Sequence, residues 1–197
     1  PKGRLGNALF RYFAIIILLY ENRNFKYGGI SKKSPLKIGP KRHYDFGLGC
    51  SIKDLKSKNL IIEEQSDTHT IPVHTTIKNT FYSEPKNINT NSWRLFINMA
   101  GYYSSSDNPE KYMRVGKGFG TTSSTFSLLF DTENEANNAL TLMSSKLYRY
   151  VVNQKTSGFN LPIVHLPLLN VNEEWDDDKV YKYFNLTQDE IDIIEKT

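Results

Sequence analysis

The element that most constrains this chain begins at Thr132, where T-E-N-E places a hydroxyl residue three positions before Glu135. That spacing is a capping box, in which each side chain satisfies a backbone N–H that the first helical turn leaves without a partner. Behind it Ala136, Leu140, Met143, Leu147 and Val151 recur at three- and four-residue steps. The pattern predicts an amphipathic helix over 132–154 that must bury one stripe against a neighbouring layer. Short apolar runs bounded by turn-forming residues supply that layer: NLIIEE (59–64), IPVHTTI (71–77), WRLFINMA (93–100) and TFSLLF (125–130) read as strands. Beyond the long helix, DDDKVYKYF (176–184) reads as a short helix with acidic residues in its first turn. Thr187 to Glu190 then repeats the capping box for a last helix carrying Ile191 and Ile194. The fold class expected is therefore α+β, a mixed or antiparallel sheet with one long helix and two short C-terminal helices.

Upstream the reading is weaker. Leu9, Tyr12, Phe13, Ile16, Leu19 and Tyr20 have helical spacing, 28–49 reads as loop, and 101–124 reads as an irregular segment rich in glycine, serine and tyrosine. The run FAIIILLY (13–20) is eight residues long, against the roughly 20 of a membrane-spanning helix. No membrane partner is expected. The length, 197 residues, suits one good core, with residues 1–50 as a basic segment and 51–197 as the domain proper. A single cysteine, Cys50, excludes an internal disulfide and fits a reducing, cytoplasmic setting. The chain opens on Pro1, which points either to a processed or truncated product or to part of a longer polypeptide.

Charge is unevenly spread. Residues 1–50 carry a net +8 and residues 151–197 a net −5, within a total of +4. A basic beginning suits a polyanionic partner, and an acidic end does not. Catalytic and cofactor signatures are missing: there is no G-x-x-x-x-G-K-[ST], no H-E-x-x-H and no paired cysteine motif. GKGFG (116–120) lacks the third glycine and the context of a dinucleotide loop. His69 and His74 fall on opposite faces of a regular strand, so they are expected as exposed or ladder histidines and not as a metal site. Glu63 and Glu64 read as surface charge. His43 and His165 have no serine or cysteine elbow beside them. No catalytic, cofactor-binding or metal residue is assigned. What remains is a cationic surface interleaved with rings, in KYMRVGKGF (111–119) and around Lys146, Tyr148, Arg149, Tyr150 and Lys155.

The order of motifs in the second half carries a resemblance. FDTENEANNALTLMSSKLYRYVVNQKTSGFN (130–160), HLPLLN (165–170), Trp175 followed by three aspartates, and VYKYFNLTQDEIDIIE (180–195) resemble the C-terminal end of Eco57I-like, type IIG adenine-specific restriction–modification methylases. The likeness spans about 65 residues and extends weakly back to WRLFINMAGYY (93–103). It departs from the pattern at Gln188-Asp189-Glu190, where two glutamates are common. The resemblance implies a target-recognition domain for double-stranded DNA, closed by two acidic helices that face away from the phosphates. The catalytic N-P-P-[YF] loop and the glycine-rich S-adenosylmethionine loop are not in these residues. It thus implies recognition without methyl transfer of its own, a methyltransferase domain acting in cis or in trans. The DNA-contacting residues expected are Arg114, Lys117, Lys146, Arg149, Lys155 and Ser157, with Tyr102–Gly120 as the base-reading segment and Arg114 and Lys117 as its readers. A separate likeness, of GRLGNALFRYFA (3–14) to the start of fucosyltransferase-type glycosyltransferases, leaves a sugar-nucleotide-binding fragment as one alternative. A structural or assembly protein, of the kind a virus encodes, is another.

Overall fold

The computed structural model describes residues 41–47, 49–75, 80–98, 112–122, 125–153 and 168–196. Within them helix α1 (Ile52–Ser57) precedes β1 (Ile71–His74), β2 (Thr80–Ser83), β3 (Trp93–Asn98), β4 (Met113–Gly116), β5 (Gly120–Thr121) and β6 (Thr125–Phe130). Helices α2 (Glu133–Ser144), α3 (Lys146–Asn153), α4 (Asp177–Tyr183) and α5 (Gln188–Glu195) complete the order. The class is α+β. One sheet, ordered β4-β3-β6, is antiparallel; the other, β2-β1-β5, is mixed, since β5 runs parallel to β1.

Strand alternation divides the first sheet into two unlike faces. Leu95, Ile97, Met113, Phe126, Leu128 and Phe130 point to one side and pack on Ala136, Ala139, Leu142 and Met143 of α2. This is the larger core, and it is built from the apolar stripe that the helix must bury. The opposite face carries Arg94 and Phe96 of β3, Arg114 of β4 and Ser127 of β6, matched across the strands as Phe96 with Arg114 and Phe96 with Ser127. A second core gathers Leu55, Ile61, Val73, Phe81 and Ile88 around the mixed sheet.

Both capping boxes close as the spacing predicts. Glu135 N–H donates to Thr132 Oγ1 at 3.2 Å and Thr132 N–H donates to Glu135 Oε2 at 2.9 Å. Glu190 Oε2 accepts from Thr187 N–H at 2.9 Å. Thr132→Ala is expected to lower stability by about 1 kcal/mol, read as a shift of the urea midpoint at unchanged slope. A shift near zero would mean that the box contributes nothing beyond solvent.

Several expectations are corrected. The helix expected over 132–154 is interrupted at Ser145, whose φ of −59° and ψ of 150° are extended. The break is stabilised from a distance: Lys146 N–H donates to Asp177 Oδ1 at 2.7 Å. NLIIEE (59–64) is not a strand; Ile62 bridges to Tyr82 while Ile61 fills the second core. Part of the segment read as irregular, 101–124, is the ordered pair β4 and β5. His69 is not a surface or ladder histidine but 4% exposed, its Nδ1 3.0 Å from Thr68 Oγ1 and its Nε2 3.0 Å from the Asn59 carbonyl. The expected helix at 9–20, the loop at 28–40, His165 and the Val151 side chain lie outside the described residues. Among the described residues no helix is long and apolar enough to cross a membrane.

Candidate nucleic-acid interface

The glycine spacing of GKGFG, unexplained by any nucleotide loop, is explained by a turn that lays one ring on the polar face of the first sheet. Gly118 has a φ of +83°, a region where a Cβ is penalised. A Cβ at Gly116 would collide with the Phe119 ring, and one at Gly120 would collide with Ile88 and press on Asp45. With those three positions bare, Phe119 stacks on Phe96 at 4.4 Å between centroids and 20° between planes. His74 of β1 meets the Phe119 ring at 5.0 Å, close to edge-on. Aromatic pairs of this kind contribute about 0.5–1.5 kcal/mol beyond the area they bury.

Beneath the stack lies a buried ion pair. Arg94 and Asp45 side chains are both 0% exposed, with Arg94 Nη2 donating to Asp45 Oδ2 at 2.8 Å. Arg94 Nε and Nη2 both donate to Ser127 Oγ, and Nη1 donates to the carbonyls of Phe119 at 3.1 Å and Asn89 at 3.3 Å. Asp45 Oδ2 also accepts from Thr121 N–H at 3.0 Å, while Oδ1 lies 3.3 Å from His43 Nε2. The Arg94 guanidinium thus directs its donors inward. Its work is to hold the carbonyl of Phe119 and, through Asp45, residues 43–46, which also bridge to β6 at Ser127. These residues lie on the N-terminal side of the 50/51 boundary expected from the sequence.

On the outer side of the stack the chemistry changes. Arg114 Cζ stands 4.7 Å from the Phe119 centroid and 5.8 Å from that of Phe96. Lys117, in the turn, sits 5.9 Å from the Trp93 ring. Both residues are exposed, and among the described residues neither has a carboxylate partner. Partial burial pulls the Arg114 pKa down from its ordinary value, although guanidinium stays charged at any working pH. Burial first, and the Arg114 charge second, push His74 below the ordinary histidine value, which favours the neutral ring beside Arg114.

Of the six contact residues expected from sequence, Arg114 lies on this face, while Lys117, three residues on, is beside Trp93, which alternation turns toward the larger core. Lys146 and Arg149 lie elsewhere; they belong to α3, in the helical layer on the other face of the sheet. Lys146 Nζ is paired with Glu195, whose other oxygen accepts from Tyr181 Oη at 2.8 Å. Arg149 is half-buried and already engaged by a neighbour. Lys155, Ser157 and residues 102–111 of the expected reading segment lie outside the described residues. Sequence reasoning passed over Phe96, Phe119, His74 and Trp93 as partners of the two cations. The signal available was alternation, which puts Arg94 and Phe96 on one face, and the every-other-residue glycines that clear space for Phe119. Among the described residues no three His, Cys, Asp or Glu side chains gather as a metal site. No protein family, curated protein or solved structure matches the chain.

Proposed function

We propose that this chain is a double-stranded DNA recognition module, the target-recognition part of a restriction–modification methylase, acting in the reducing cytoplasm. One observation carries the reading: Arg114 stands over the Phe119 ring and Lys117 beside the Trp93 ring, both exposed and with no carboxylate partner among the described residues, whereas Lys146 is neutralised by Glu195. A stacked cation without an internal counter-ion is arranged for an external anion. The net +8 of residues 1–50 adds to the pull of a polyanion, and the acidic α4 and α5 belong to the opposite side of the sheet. Methyl transfer would be supplied by a separate catalytic domain, which would also extrude the target base.

The test is a fluorescence-anisotropy titration of the chain against random-sequence duplex DNA at 50 and 200 mM salt. Binding of roughly micromolar strength that weakens steeply with salt is the expected result. Lys117→Ala should reduce the slope of log K against log salt by about one. A chain that binds no duplex at low salt is not a DNA module; self-association in that case favours the assembly reading.

A further inference from the structure

A lysine and an arginine that both neutralise phosphate need not do the same work, and here their surroundings differ. Lys117 is in the turn next to Gly118, a flexible stem with a compact charge. Arg114 is in a strand, opposite Phe96 in the β3–β4 ladder, with its guanidinium over the Phe119 ring. That ring is itself fixed three ways: stacked on Phe96, met at its edge by His74, and tethered through its carbonyl to the buried Arg94. A guanidinium centred 4.7 Å from a fixed ring is restrained on that side, and, the residue being exposed, it keeps N–H groups open to a partner. A guanidinium edge matches two acceptors side by side, and on duplex DNA the base that offers them in the major groove is guanine, through O6 and N7. Phosphate contacts do not need this constraint, because a mobile lysine satisfies them as well.

We infer that Arg114 reads a guanine edge in the major groove of the bound duplex, through paired donation to O6 and N7, while Lys117 holds the adjoining backbone. The inference rests on the DNA-recognition reading above. It assigns the two cations different consequences when they are lost: Arg114 a base preference, Lys117 only affinity.

The experiment is selection of bound duplexes from a randomised pool by the full chain and by Arg114→Ala and Lys117→Ala, followed by sequencing. The wild-type pool is expected to converge on a site with a guanine at one position that is absent from the Arg114→Ala pool. Lys117→Ala should retain it. At that position any other base should weaken wild-type binding by roughly 5- to 150-fold. Replacing the guanine by 7-deazaguanine, which keeps base pairing and removes N7, should weaken the wild type several-fold and leave Arg114→Ala unaffected. Thermal melting of each variant checks that the exposed substitutions leave the fold intact. A wild-type pool that binds but contains no Arg114-dependent guanine overturns the inference and leaves the DNA reading standing. A wild type that retains no duplex overturns both.

Discussion

Replacing Asp45 with alanine is expected to cost about 3–5 kcal/mol of folding stability, because it leaves the Arg94 guanidinium buried without a counter-charge. The two side chains are fully enclosed and Arg94 makes its other bonds to neutral acceptors, Ser127 Oγ and two backbone carbonyls. Neutral acceptors orient a guanidinium but do not offset the desolvation of a full charge. Alanine also removes the acceptor of Thr121 N–H, a further buried donor. Asp45→Asn should be milder, since it preserves an oxygen for Thr121 and loses only the charge. Urea denaturation followed by circular dichroism reads both variants, with the midpoint moving and the slope preserved. A loss under about 1 kcal/mol for Asp45→Ala would mean that water reaches the pair and that it is a surface bridge, whose usual worth is that small. The ion pair also bears on the proposed interface, because Arg94 holds the carbonyl of the residue whose ring carries Arg114.

What was legible in the sequence follows how far apart the interacting residues are. Thr132 with Glu135 and Thr187 with Glu190 interact across three positions, so their spelling was enough to fix two helix starts. Strands β3 and β6 were legible because each carries a full apolar face. Helix α1 was not, since Leu55 is the one buried residue of its six, and its capping box uses Asp54 in place of the commoner glutamate. The apolar run at 59–64 misled because its hydrophobicity is spent on packing the second core and not on a ladder. The break at Ser145 is held by Asp177, 31 residues beyond the Lys146 N–H it accepts from, and a continuous apolar stripe gives no hint of it.

The same division runs through the candidate site. Arg114 and Lys117 stood out as cations among rings, but the ring under each one depends on strand register and on the Gly118 turn. Asp45 pairs with Arg94 across 49 positions, and no local pattern announces it. Lys146 was misleading for the converse reason: its neutralising partner, Glu195, is also 49 positions away. A cation's availability is thus a tertiary property, decided by which carboxylates the fold brings to it.

Trp175, the tryptophan between the connecting segment and the acidic helices, is expected to be the second most costly side chain to remove. It is 5% exposed, belongs to the larger core and meets Tyr183 edge-to-face at 5.5 Å. Its Nε1–H donates to the Asn170 carbonyl at 2.8 Å, which closes the turn that leads into α4. The neighbouring Val171 carbonyl is held in turn by Asn138 Nδ2 of α2 at 2.9 Å. Trp175→Ala therefore opens a cavity and loosens the turn that ties α2 to the start of α4. The expected loss is about 3–5 kcal/mol, or roughly 6–20 °C in melting temperature for a chain of this size. Trp175→Phe should lose about 1 kcal/mol for the missing donor, plus a smaller packing term. Because Trp175 packs with the helical layer and Arg114 faces the other way, DNA affinity measured well below the melting temperature should be unchanged in Trp175→Phe. A variant that melts normally yet binds weakly would place the acidic helices against DNA after all, and the charge gradient along the chain would then need another explanation.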